Sequence, residues 1–371
     1  VVFGILEVVG AEIIDLRTIY PHESGPLPVE ELISRIKSSV PFPLEDIETN
    51  SVYEEMDPHG NTISGLYEQA RNGSEDSYLY LKKLASEQND PLVQGFFARY
   101  LLTMGNSYCF VDSSIAPEYY VDLCAGELHY LANELKQPHA LELLSFFYSI
   151  GCGSIPKDVL IAKENAEVPA RLGMPRAQNS IGYLHGLLEE PSRALSWFIC
   201  GMRNNYSVSF WNMSLPSNYF SLHDNIVTDL IKHAVMRQYK AGQYNLAKRY
   251  EKEQQYQASF CYFHDLAQSR YILGYYETGR FFLYGFHGEE NLDEAENYLS
   301  IAVTYIQTKS DAEIISFVNN ILDGFFASSD EQSQWMLAQY IHTFLELPSL
   351  KNLKSPRLES KIAEFLSTIG S

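Results

Sequence analysis

The sequence is poor in basic residues, cysteine and tryptophan, and it holds no long unbroken apolar run. Its 27 lysines and arginines face 47 aspartates and glutamates, a formal net charge of -20. That balance excludes general nucleic-acid binding, which needs clustered cations against phosphate. The five cysteines, Cys109, Cys124, Cys152, Cys200 and Cys261, are widely spaced. With no CxxC and no short Cys/His cluster they make no zinc or thioredoxin-type motif, and they read as small buried hydrophobes. An odd number leaves at least one thiol free, and a Cys124–Cys152 bridge stays open for an oxidising compartment. No stretch reaches the roughly 18 to 20 apolar residues of a membrane-crossing helix, so no membrane span is expected.

Catalytic signatures are missing as well. The ten histidines are scattered, without HExxH or a His/carboxylate cluster at helical ligand spacing. Gly151-Cys152-Gly153 follows a helical pattern rather than a strand and lacks the third glycine of a dinucleotide loop. GxSxG, P-loop and kinase signatures do not occur. His223-Asp224 and His264-Asp265 are chain neighbours that point apart on a helix, and Arg237, Lys240, Lys248, Arg249 and Lys252 read as a solvated face diluted by Glu251 and Glu253. No catalytic, cofactor-binding or metal-ligating residue is assigned, and a non-enzyme is expected.

What is present is a spaced set of small and aromatic residues. Ala162, Ala166 and Ala170 step along one helical face, Gly173 ends that helix, and Ala177-Gln178 opens the next, which carries Ile181-Gly182 and reaches Gly186. Ala194, Trp197, Phe198 and Gly201 then recur at i, i+3, i+4 and i+7. Small residues let two helix backbones approach closely, and rings fill the gap to the next hairpin. Ser77, Tyr80, Leu81, Leu84 and Ala85 predict an earlier copy of this face, and Tyr119, Tyr120, Leu123 and Cys124 another. Later, Leu273-Gly274 and Gly279 restate Ile181-Gly182 and Gly186, with Ser269 in the place of Ala177; Ala295, Tyr298, Leu299 and Ala302 restate the second helix. These intervals predict stacked helical hairpins, an all-α solenoid.

Around that core the organisation is less regular. Residues 1–60 form a proline-rich, irregular leader with one short helix near Val29 to Ser38. Within it, Val1 to Ala11 match a signal-peptide remnant, with a short buried strand or helix as the alternative. Residues 61–305 carry the repeats, with an enlarged loop over Gly105 to Ile115, a lapse from Asn204 to Leu222, one helix over Ile226 to Ala241, and either a loop or a continued helix over Arg280 to Leu292. Residues 306–371 supply capping helices, a pair over Asp311 to Phe326 and Gln332 to Leu347 and a last one near Leu358 to Ile369.

At Ala170-x-x-Gly173-x-x-x-Ala177-Gln178-x-x-Ile181-Gly182 and at Ala295-x-x-Tyr298-Leu299-x-x-Ala302 the chain resembles the Sel-one-like repeat (SLR) family, relatives of tetratricopeptide repeats. It departs from the family where Pro169 interrupts its helix. The resemblance implies a right-handed alpha-alpha superhelix of helical hairpins that serves as a protein–protein adaptor without a cofactor. The interrupted repeats look most like a luminal adaptor of an endoplasmic-reticulum membrane ubiquitin ligase. That likeness implies an endoplasmic-reticulum location, a ubiquitin-ligase subunit and misfolded glycoprotein clients as partners, and N-glycosylation at the sequons of Asn72, Asn205 and Asn212. The alternative is a cytosolic repeat scaffold or regulator of another enzyme, in signalling or cell-wall synthesis.

Overall fold

The computed structural model describes residues 25–45, 47–49, 57–105, 115–216, 221–306 and 356–369, with short helical stretches between 318 and 341. Among these the backbone is helix and turn without a strand; Cys152 and Ile155 form one isolated bridge. Two compact units divide inside one helix, between Arg249 and Tyr250.

The first unit holds α1 (Val29–Ser39), α2 (Pro58–Arg71), α3 (Glu75–Glu87), α4 (Pro91–Gly105), α5 (Pro117–Asn133), α6 (Pro138–Ile150), α7 (Val159–Arg171), α8 (Pro175–Leu187), α9 (Pro191–Arg203), α10 (Ser207–Ser214), α11 (Asp224–Met236) and the start of α12 (Lys240–Lys252). The helix starts are written in the sequence. Proline stands first in six of them, where its missing N–H costs nothing, and Asp57, Ser74, Asp90 and Asp158 cap free amides with their side chains. Gly173 closes α7 at φ 93°, a left-handed conformation that suits glycine.

From α2 to α11 the helices pair as hairpins, α2 with α3 through α10 with α11. The first helices of successive hairpins also touch directly, α2 on α4, α4 on α6, α6 on α8 and α8 on α10, and α2 reaches α6 as well. First helices that meet in this way line the inside of a tight curve, and the second helices face outward. Ala162, Ala166 and Ala170 of α7 and Ala177 and Ile181 of α8 are fully buried in one seam, as their spacing predicts.

The described part of the leader belongs to this unit. Leu32, Ile33 and Ile36 of α1 are buried against α9 and α11, in one core with Ala194, Leu195, Phe198, Ile199 and Met202. The chain then runs along α9, where the Glu45 amide donates to Ser196 Oγ at 2.9 Å and the Ser192 hydroxyl donates to the Pro43 carbonyl. The first eleven residues lie outside the described set.

The second unit comprises the end of α12, α13 (Tyr256–Gln268), α14 (Ile272–Leu283), α15 (Leu292–Ile306) and α16 (Pro356–Ile369). Ile272, Tyr276 and Leu283 of α14, Ala295, Leu299 and Ala302 of α15, and Phe365 of α16 share its core. Arg280 to Leu292 resolves into the last turn of α14 and a lengthened loop, whose Phe286 stacks on Tyr256 at 5.2 Å. The enlarged loop over Gly105 to Ile115 and the helix pair over Asp311 to Leu347 lie largely outside the described residues; those described at 318–341 are helical.

Several expectations need correction. Pro169 does not interrupt α7: it is buried within the helix two residues from the end, so a single amide is lost near a terminus. The helix expected over Ile226 to Ala241 is two helices, since Gln238 turns at φ 60° and the amides of Arg237, Gln238 and Tyr239 fold back on Ala234 and Val235. Of the anticipated α3 and α5 faces, Ser77, Leu81, Ala85, Tyr120 and Cys124 are buried, whereas Tyr80, Tyr119 and Leu123 point to solvent.

The late repeat is also registered differently. A Cβ at Gly182 would meet Phe198 at 2.8 Å and the Ala194 carbonyl at 3.1 Å; one at Gly279 would meet Leu299 at 2.7 Å and the Ala295 carbonyl at 3.2 Å. Gly279 therefore plays the part of Gly182, and Gly274, not Ser269, stands where Ala177 stands. Ser269 is the residue after α13. At Gly274 a Cβ would sit 2.5 Å from the Ala267 backbone nitrogen. Gly274→Ala is expected to lose about 1–3 kcal/mol despite alanine's better helix propensity, whereas Gly65→Ala in α2, where a Cβ meets nothing, gains about 0.5–1 kcal/mol. Urea unfolding of the two variants checks the opposite signs.

Candidate functional site

The repeat-defining residues are structural. Ala170, Gly173, Ala177, Gly182, Ala194, Trp197, Gly274, Ala295 and Ala302 are buried in helix seams, and Tyr298 is half-buried beside Phe282 at 5.7 Å. The chemistry lies deeper, where the first helices converge.

Glu142 on α6 is completely buried between two guanidiniums, bonded to Arg99 of α4 and 3.3 Å from Arg176 of α8. Arg176 also donates to Glu68 Oε1 at 3.0 Å and to Ser64 Oγ at 2.9 Å, both on α2. Glu68 in turn holds Arg71, whose Nη2 also donates to Ser207 Oγ at 3.3 Å. Rings line this network: Arg176 lies over Phe96 and Tyr67, and Arg71 over Tyr206. Five charges from four helices are thus tied into one chain across the inside of the curve.

Burial alone would raise the carboxyl pKa of Glu142, yet Arg176 and Arg99 outweigh it and hold the group below the usual range. Glu68 behaves likewise under Arg71 and Arg176. The network is an ionised structural latch in which each acid bridges two cations. Beside it His139 Nε2 meets Asn61 Oδ1 at 2.8 Å, and burial, with Arg176 nearby, pushes this imidazole down to about 4.

A second buried histidine secures the leader. His233 Nε2 donates to the Leu27 carbonyl at 2.7 Å, and burial pushes its pKa down to about 4. Arg237, expected on a solvated face, is buried: it donates to the His233 carbonyl and to Asn205, and lies over Phe210 at 4.5 Å. A cavity of about 370 Å³ near α10 and α11 is lined by Trp211, Leu222, Val227, Ile231 and Arg249, the last paired with Asp224. No group of three or more His, Cys, Asp or Glu that could hold a metal occurs among the described residues.

The sequons sit at different depths. Asn72 follows α2 and is half-buried, Asn205 lies in the exposed turn after α9, and Asn212 lies within α10, its amide donating to Asn179 at 2.9 Å. Cys124, Cys152, Cys200 and Cys261 are free thiols, so the Cys124–Cys152 bridge is not formed; burial pushes Cys124 up to about 12 and Cys152 up to about 11.

The latch escaped the sequence reading although it leaves a trace. Glu142 is the one charge in PHALELLSFFYSI, and Arg99 the one charge in PLVQGFFARYLLTMG. A lone charge inside an apolar helix marks a buried ion pair, but the sequence does not name its partner.

Fold and latch together define a helical-hairpin repeat protein whose first unit fills its own interior. No family model and no curated protein sequence matches the chain. Among solved structures it is similar to c5321, described as a protective antigen of uropathogenic Escherichia coli strains displaying an SLR fold, at 13% identity and TM-score 0.43 over 85% of this chain and 74% of that one. It is also similar to a Sel1 repeat protein from Oxalobacter formigenes, at 12% identity and TM-score 0.43 over 67% of this chain and 96% of that one.

Proposed function

We propose that the chain is a non-catalytic scaffold that carries protein partners on the outward faces of its hairpins. The observation behind this reading is the placement of large apolar side chains. Leu79 and Tyr80 on α3, Tyr119, Leu123 and Tyr130 on α5, and Leu160, Ile161 and Val168 on α7 are exposed on three successive second helices, while the inner faces are occupied by the latch. Apolar groups left in water at this density mark interaction surfaces. Photocrosslinking residues placed at positions 80, 123 and 161 are expected to trap discrete partners in cells; a chain that stays uncrosslinked at all three sinks the reading.

Within it, the finer proposal is an adaptor of endoplasmic-reticulum quality control, joining a ubiquitin-ligase subunit to misfolded glycoproteins. Asn205, at an exposed turn, is then the sequon expected to carry glycan. A glycosidase-sensitive mobility shift removed by Asn205→Gln supports this location, and cytosolic fractionation of an unmodified chain ends it. The free thiols of the four cysteines among the described residues favour the second reading, a cytosolic repeat scaffold that regulates another enzyme.

A further inference from the structure

Helix α5 presents an unusual outward face. Tyr119, Leu123 and Tyr130 are about half exposed, at 60%, 45% and 53%, and follow one another at i, i+4 and i+11. The gap at i+7 is Gly126, where an added Cβ would meet nothing within 4 Å. The stripe is therefore two apolar shoulders with an open gap between them at Gly126. The remainder of α5 buries Tyr120, Val121, Cys124, Leu128 and Ala132, so the stripe is surplus to the core.

Acids flank this stripe. Glu118, Asp122, Glu127 and Glu134 are all exposed, and no lysine or arginine occurs between Pro117 and Leu135. Lys82 of α3 is near enough for its charge to be felt at Tyr120, on the buried side of this helix. Asp122 is fixed rather than free to turn away, since its carboxylate accepts the Ser154 amide at 2.5 Å. An apolar seam between acidic margins selects its occupant by charge. A second copy of the same face would set four acids against four, and an anionic membrane would be repelled.

Resting on the scaffold reading above, we propose that α5 is the docking face for a basic amphipathic helix of a partner protein. Apolar residues of that helix pack along Tyr119, Leu123 and Tyr130, one of them enters the notch at Gly126, and its flanking lysines or arginines meet Glu118, Asp122, Glu127 and Glu134. The anchors supply the affinity and the acids supply orientation and rate of encounter.

The test uses the full chain and a labelled synthetic helix of leucine and lysine with the leucines on one face. Its control is the same peptide with serine for leucine. Binding of the leucine peptide is expected to protect the amides of residues 118–134 from hydrogen exchange and to weaken as salt rises. The pair Leu123→Ser and Tyr130→Ser, both at exposed positions, is expected to lower its affinity by about tenfold or more. Gly126→Leu fills the notch and is expected to weaken binding with the helical circular dichroism unchanged. Equal binding of the serine control, unchanged affinity in these variants, or protection mapped to another helix overturns the assignment. If that happens while partners still crosslink at α3 or α7, the scaffold reading stands; loss of every outward crosslink removes both.

Discussion

Replacing Glu142 with glutamine is expected to destabilise the first unit by about 3–5 kcal/mol, the scale for breaking a buried ion pair from one side. Glutamine keeps the shape and drops the charge. Arg99 and Arg176, whose side chains are 7% and 6% exposed, then face each other across α6 with no acid between them. Neither can shed its proton to escape the cost, because guanidinium stays charged. With about 5–15 kcal/mol as the total stability of a typical domain, such a loss removes a large fraction of it. Urea unfolding followed by circular dichroism reads the effect directly. A shift below about 1 kcal/mol would mean that the two guanidiniums reach water and that the inside of the curve is open.

Mild acid is the second large lever. His139 and His233 are buried and neutral, with pKa values near 4 against an ordinary value of about 6.5. A group whose folded pKa is depressed contributes stability that is present above its unfolded pKa and lost as pH falls towards the folded one. Stability is therefore expected to be level above pH 7 and to fall between about pH 6.5 and 4, by roughly 3 kcal/mol for each histidine. Glu68 and Glu142, held below the carboxylate range, extend the loss at lower pH with the same sign. His233 has a local consequence too. Its protonation places a second charge beside Arg237 Nη1, 3.3 Å from Nδ1, at the point where Leu27 ties the leader to α11. Urea midpoints across this range should slope for the wild type and slope less for His233→Gln; a flat profile would show that both rings are solvated.

Much of this architecture could be read from residue spacing, because helix seams are made by local repeats of small side chains. Ala162, Ala166 and Ala170 are buried as their interval of four requires, and Gly173 turns where it was expected. The late repeat slipped in register because glycines recur on both halves of α14. Only the facing partner decides between them: Gly279 meets Leu299 and the Ala295 carbonyl as Gly182 meets Phe198 and the Ala194 carbonyl. The turn at Arg237–Tyr239 was hidden for a different reason. A glutamine takes the left-handed position there, so no glycine or proline marks the break.

The leader and the latch were the least legible parts, for a common physical cause. Both depend on residues far apart in the chain: α1 on α9 and α11, Glu68 on Arg176, Arg71 on Ser207. A proline-rich composition says that the leader does not extend the repeats, and nothing in it says which surface takes Leu32, Ile33 and Ile36. Likewise, aromatic spacing predicts which helices pair but does not separate Tyr120, which enters the core, from Tyr119, which is left in solvent.

The first helices curl tightly enough for α2 to bond α8 across the interior. Glu68 and Arg176 lie 108 residues apart in sequence and 3.0 Å apart in space. A double-mutant cycle on Glu68→Gln and Arg176→Gln measures that contact most directly. The structure predicts a coupling free energy of about 0.5–3 kcal/mol, the range for residues in one ion network. Additive losses, with a coupling indistinguishable from zero, would contradict the closed interior and with it the assignment of partners to the outward faces.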